Sequence, residues 1–171
     1  MEFERNIRDQ LIGLRASENP HLSKLIKQAD RTPETITIRP ATIADANSWC
    51  GRTSPKISCF RIRKTAEGAE RLVLYFPPWQ VDLENPKAHR GIVAHELSHV
   101  VDKIYNRYHS RKEIRERRAM FFHNMWRDEQ GLRLFKMYNR KWDATDYQRA
   151  KSGGQLAQAV NYLFSHRDLP G

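Results

Sequence analysis

The sequence predicts an α+β fold. Apolar residues at helical spacing open the chain, runs of strand formers follow within its first half, and further helical patterns fill the rest. Phe3, Ile7, Leu11 and Leu14 step by three and four, so residues 3–16 read as an amphipathic helix. Pro20 opens a second short helix with Leu22, Leu25, Ile26 and Ala29, and Asp30-Arg31-Thr32-Pro33 stops it. Alternation in Thr35-Ile36-Thr37-Ile38 predicts a strand closing at Pro40. Residues 41–49 fit a single helical turn. Residues 57–63 and 71–76 are rich in β-branched and aromatic side chains. The polar 64–70 segment around Gly68 joins them as a hairpin, and Pro77-Pro78 ends the sheet.

The second half turns helical. Asn85 is a favourable N-cap and Pro86 suits the first helical position, opening a helix that runs to about residue 107. Ser110 and Glu113 have capping-box spacing and start the next helix, which stops before Gly131. Residues 132–142 and 143–151 read as helical. Gly153-Gly154 separates them from a last helix bearing Leu156, Ala159, Val160, Leu163 and Phe164. No repeat or long linker divides the chain, so one domain is expected over residues 1–171, with its core at about 35–130 and a helical part at 131–171.

At 171 residues the chain is long enough to bury a core without disulfide staples. Hydrophobic residues at 39% and charged residues at 29% exclude the collagenous and low-complexity classes. No apolar run approaches the ~20 residues of a membrane span, and the first residues lack the apolar segment of a secretory signal. Two cysteines, Cys50 and Cys59, do not suggest a disulfide framework. A soluble cytoplasmic protein with reduced thiols and no membrane partner is the expectation.

The net charge of +10 is uneven: 14 of the 30 Lys and Arg, but only 6 of the 20 Asp and Glu, lie between Pro86 and Trp142. Arg107, Arg111, Lys112, Arg115, Arg117 and Arg118 form its densest stretch. Such a stretch is either a solvated helix face or a footprint for nucleic acid or another acidic partner. No RNP, zinc-knuckle or helix-turn-helix signature accompanies it.

Chemistry concentrates in His95-Glu96-Leu97-Ser98-His99, a His-Glu-x-x-His pattern. In mid-helix, residues i and i+4 share a face, so both imidazoles can reach one ion at about 2.0–2.1 Å. Ile92, Val93, Leu97, Val100, Val101 and Ile104 supply apolar surroundings in which unpaired imidazoles would be costly. Glu96 is adjacent but offset, which suits a general base taking a proton from a metal-bound water.

These residues resemble a zincin metallopeptidase, with the likeness confined to residues 57–127. The resemblance implies Zn2+ as cofactor, a protein or peptide substrate, and a sheet whose edge strand binds peptide. Residues 71–76, just before the active helix, are the candidate strand by that resemblance.

A catalytic zinc needs a third protein ligand and an open position. Asp102 lies about 10 Å along the helix axis from His95 and cannot join both histidines on one ion. It either supports His99 or is solvated. The next helix offers Glu113, Glu116 and His123, of which Glu113 already has a role in the capping box. Glu116 shares a face with Ala119, Met120 and His123 and follows His99 at a spacing similar to that of gluzincins. Glu116-Arg117-Arg118-Ala119-Met120-Phe121-Phe122 also resembles the Glu-x-x-Ala-x-x-Phe pattern of ImmA/IrrE-type peptidases, although Met120 stands where Asn is usual. A SprT-like, DNA-associated protease is the competing resemblance, with His109 as third ligand. The expected metal set is therefore His95, His99 and Glu116, with His109 and Glu113 as alternatives and Glu96 as base. The oxyanion helper is open among His123, Tyr138, Tyr147, Tyr162 and His166. The rival outside the peptidases is a basic nucleic-acid-binding module whose metal is structural or absent.

Overall fold

The computed structural model describes residues 2–41 and 58–171, so the turn expected at 41–49 lies, from residue 42 onward, outside the described residues. The fold is α+β: helices surround a three-stranded sheet and a two-stranded ribbon. Helix α1 (Glu2–Arg15) buries Ile7 and Leu14, and α2 (Pro20–Asp30) buries Leu22, Leu25 and Ile26, as their spacing requires. Asn19 caps α2 by accepting from the His21 N–H at 2.9 Å, with Pro20 following at the first turn.

Strands β1 (Ile36–Pro40), β2 (Cys59–Lys64) and β3 (Glu70–Phe76) form a sheet in the order β1-β3-β2. The β2–β3 pair is the expected antiparallel hairpin, and β1 runs parallel to β3. Alternation along β3 turns Leu72, Leu74 and Phe76 into the main core, while Val73 and Tyr75 join Ala41 in a smaller apolar cluster. The central place of β3 corrects one expectation. Its backbone is paired on both sides, so residues 71–76 cannot be extended by a peptide; β2 has an edge that no described strand covers.

Helix α3 (Pro86–Ile104) is capped by Asn85 and packs on α4 (Lys112–Glu129). Their contacts run antiparallel: the Trp126 indole N–H donates to the Lys87 carbonyl at 2.6 Å, Gly91 faces His123, and Asp102 meets Arg118. Helix α3 ends at Ile104, three residues early, because Asn106 takes φ +56° and the Arg107 N–H reaches back to the Asp102 carbonyl at 2.6 Å. The predicted Ser110–Glu113 capping box does not form. Arg111 is the N-cap and has no side-chain cap bond; its N–H donates to His109 Nδ1 at 2.9 Å, and Glu113 pairs with Arg111 instead.

Residues 132–142 are not a helix. Gly131, at φ +67°, ends α4, and β4 (Met137–Tyr138) pairs with β5 (Trp142–Asp143) across a turn in which Asn139 and Arg140 both have positive φ. Asn124, fully buried in α4, holds this ribbon: its amide donates to the Phe135 and Ala144 carbonyls and accepts from the Phe135 N–H, each at 2.9 Å. Helices α5 (Asp146–Ser152) and α6 (Leu156–Ser165) close the chain, and α6 places Val160, Leu163 and Phe164 in the same core as Ile7 and Leu74. Cys59 departs from the expected free thiol: it is disulfide-bonded. Among the described residues no helix is long and apolar enough to cross a membrane.

Candidate metal centre

His95 and His99 leave α3 on one face and meet Glu116, which sits one turn into α4. His95 Nε2 lies 3.2 Å and His99 Nε2 3.6 Å from Glu116 Oε2, and the three ligand atoms fall within 4.8 Å of one another. Two ligands about 2.0–2.1 Å from a single tetrahedral ion are about 3.3–3.4 Å apart, so this spacing fits one ion. Both imidazoles are buried and Glu116 is nearly so.

The electrostatics suit a cation. Burial alone would raise the Glu116 pKa, but hydrogen bonds from His95 and His99 outweigh it and hold the carboxyl well below its usual range. For His99, burial lowers the pKa, and it is overcome by the hydrogen bond and charge of Glu116, helped by Glu96 and Asp102; the net shift is upward. Glu116 thus favours a proton on His99 at a position where a metal ion would take its place.

No family model, curated protein or solved structure matches the chain.

His109, the alternative ligand, is drawn elsewhere: its Nε2 lies 3.1 Å from an Asp168 carboxylate oxygen. Glu113 is committed to Arg111 and to Arg117 at 3.9 Å. His123 stands behind His95, ring to ring at 6.1 Å, and burial, reinforced by the charges of His95 and Arg127, pushes its pKa well below normal. Asp102 neither supports His99 by a hydrogen bond nor is solvated. It is buried and receives Arg118 Nε at 2.7 Å, Arg118 Nη2 at 2.9 Å and Arg107 Nε at 3.2 Å.

A cleft of about 360 Å³ opens on the cluster, between β2, the start of α4 and the β4–β5 ribbon. Glu96 lines it beside His99 and Glu116, and the Ser58 hydroxyl donates to Glu96 Oε1 at 2.6 Å. Of the five candidate oxyanion helpers, Tyr138 lines this cleft, with its ring 5.3 Å from that of His95. Its phenol pKa is raised by burial and then by the charges of Glu116 and Glu96, which keeps the hydroxyl protonated as a donor. Tyr147 instead donates to Asp128 at 2.5 Å, and Tyr162 stacks on His166 at 4.1 Å. Sequence reasoning did not single out Ser58 or Tyr108, which also faces the cleft. Ser58 is 38 positions from its partner Glu96, and no local pattern joins them.

Proposed function

We propose that the protein is a zinc-dependent metallopeptidase of the zincin type, with His95, His99 and Glu116 as ligands and Glu96 as general base. One observation carries this reading: three ligand atoms within 4.8 Å of one another converge beside a carboxylate that is not one of them, on a cleft bordered by β2, whose outer edge no described strand covers. Two nitrogens and one carboxylate oxygen form a donor set suited to zinc in catalytic sites, where three protein ligands leave a fourth position open. Bound zinc would supply Lewis acidity, lowering the pKa of a water and polarising a carbonyl.

The chain's own residues account for the rest. Glu96, oriented by Ser58, takes the proton from the attacking water and delivers it to the leaving amine. The Tyr138 hydroxyl donates toward the oxygen on which charge develops. The edge of β2 aligns an extended peptide by backbone hydrogen bonds. The ImmA/IrrE-type likeness, which uses Glu116, is favoured over the SprT-like one, whose ligand His109 pairs with Asp168. The nucleic-acid-module reading is weakened, because Arg107 and Arg118 of the basic stretch are buried on Asp102 and not offered to a partner.

The test combines metal content with turnover. Protein purified from metal-free buffer and reloaded should hold one zinc per chain and cleave a mixed peptide pool. Glu96→Gln should hold the same zinc and lose about 10²–10⁴-fold in rate. Zinc absent from the wild type, or unchanged turnover in Glu96→Gln, would overturn the proposal.

A further inference from the structure

The cleft that opens on the metal cluster is lined by Arg61, Lys112 and Arg115, and its carboxylates among the described residues are Glu96 and Glu116. Both carboxylates already have work: Glu116 lies between two imidazoles and Glu96 accepts from Ser58. Arg115 is likewise engaged. Its Nη1 donates to the His109 carbonyl at 2.7 Å and the Ser110 carbonyl at 2.6 Å, and its guanidinium lies 4.7 Å over the Tyr108 ring. Arg61 and Lys112 differ. Both are exposed, and neither has a carboxylate partner among the described residues; Lys112 has only the Trp142 ring, at 5.8 Å.

Their positions bracket the reacting groups. Lys112 opens α4 one turn before Glu116, and Arg61 lies midway along β2, the strand that borders the cleft. The charges of Arg61 and Arg115 lower the Tyr108 phenol pKa while those of Glu116 and Glu96 raise it, with burial the largest influence, so all four act on one small volume. A divalent ion would make that volume more positive still. Unpaired cations lining a cleft concentrate ligands of opposite charge and disfavour like-charged ones.

We propose that Arg61 and Lys112 select peptides that bear a carboxylate close to the scissile bond. The carboxylate is either an acidic side chain or the peptide's own C-terminus. This specificity rests on the peptidase reading above, and binding and cleavage test the two separately.

Binding is measured by fluorescence anisotropy on full-length Glu96→Gln protein with added zinc, at low and moderate salt. Four peptides share one neutral sequence: acetylated and amidated; the same with one central Glu; the same with one central Lys; and the acetylated sequence with a free C-terminal carboxylate. At low salt the Glu peptide, the free-acid peptide or both should bind at least about tenfold tighter than the neutral one, and the Lys peptide weaker, with the preference shrinking as salt rises. A gain confined to the Glu peptide identifies a side-chain carboxylate, and a gain confined to the free acid identifies the terminus. In Arg61→Gln/Lys112→Gln, with zinc content as the check on folding, the favoured peptides should fall to the neutral affinity. Equal binding of all four peptides, no binding of any, or a preference that survives the double substitution overturns the proposal. Selective binding without cleavage by the wild type would refute the peptidase reading alone. Cleavage of neutral and acidic peptides at equal rates, with equal binding, would refute only the specificity.

Discussion

Glu116→Ala removes the one anionic member of the candidate centre. Zinc affinity should fall by more than the 10–100-fold that loss of a mere supporting partner brings, whereas His109→Ala should change it by less than about threefold, since His109 faces Asp168. Competition with a chromogenic chelator reads both, and the reverse ranking would transfer the ligand role to His109. The same centre should be pH-sensitive. The folded apo protein holds a proton on His99 to higher pH than a free imidazole would, so zinc must displace it and apparent affinity should rise with pH through neutrality. Calorimetry in buffers of different ionisation enthalpy should show proton release, and its absence would contradict the upward shift. Tyr138→Phe deletes only a hydroxyl, so kcat should drop by about 10²–10³ with KM nearly kept. Wild-type turnover would remove Tyr138 from the mechanism. At this scale the sequence was most legible where chemistry is local. His95, Glu96 and His99 announce themselves because i, i+4 is a helical contact, and Glu116 could be reached because it repeats the face of Ala119, Met120 and His123. Ser58 could not, since its contact with Glu96 depends on how β2 docks against α3.

Helix α3 offers an element-scale contest of magnitudes. In mid-helix, Gly91→Ala should gain about 1 kcal/mol from propensity. However, the added Cβ would lie 2.5 Å from His123 Cδ2 and 2.7 Å from His123 Nε2, inside contact distance of a buried ring. Overpacking of this kind costs about 1–3 kcal/mol, so the expected net effect is destabilisation with weakened zinc binding, because His123 stands behind His95. Urea denaturation of the apo protein, paired with a zinc titration, decides it; a stabilised variant with unchanged zinc affinity would mean His123 swings aside freely. Helix existence was well read from apolar periodicity, whereas ends and ribbons were not. The 132–142 segment has enough apolar residues to imitate a helix, but the left-handed Asn139 and Arg140 and the clamp from Asn124 turn it into the ribbon that presents Tyr138. The parallel partnership of β1 with β3 was equally invisible, since strand order is set by what packs on the sheet and not by the strands' own alternation.

Across the whole molecule, the basic stretch has two fates. Arg111 pairs with Glu113 at the surface, where such contacts contribute about 0–1 kcal/mol. Arg118, only 1% exposed, reaches Asp102 on α3, the Leu163 carbonyl of α6 and the Asp168 carbonyl beyond it. Arg107 joins the same carboxylate to Gln28 of α2 and the Phe164 carbonyl. One carboxylate therefore fixes α2, α3, α4 and α6 to one another, three residues along the helix from His99. Net charge counted along the sequence could not separate these buried arginines from solvated ones, because the partner that buries them comes from a different element. Asp102→Ala should leave two guanidinium groups buried without their anion and cost about 3–5 kcal/mol. Glu113→Ala should cost less than about 1 kcal/mol. In urea unfolding at low salt and in 1 M NaCl, the loss in Asp102→Ala relative to wild type should be nearly the same, because salt screens exposed charges far more than buried ones. A cost below about 1 kcal/mol, or one that vanishes in salt, would mean that the Asp102 cluster is hydrated in solution and that apolar packing alone holds α6 against α3 and α4.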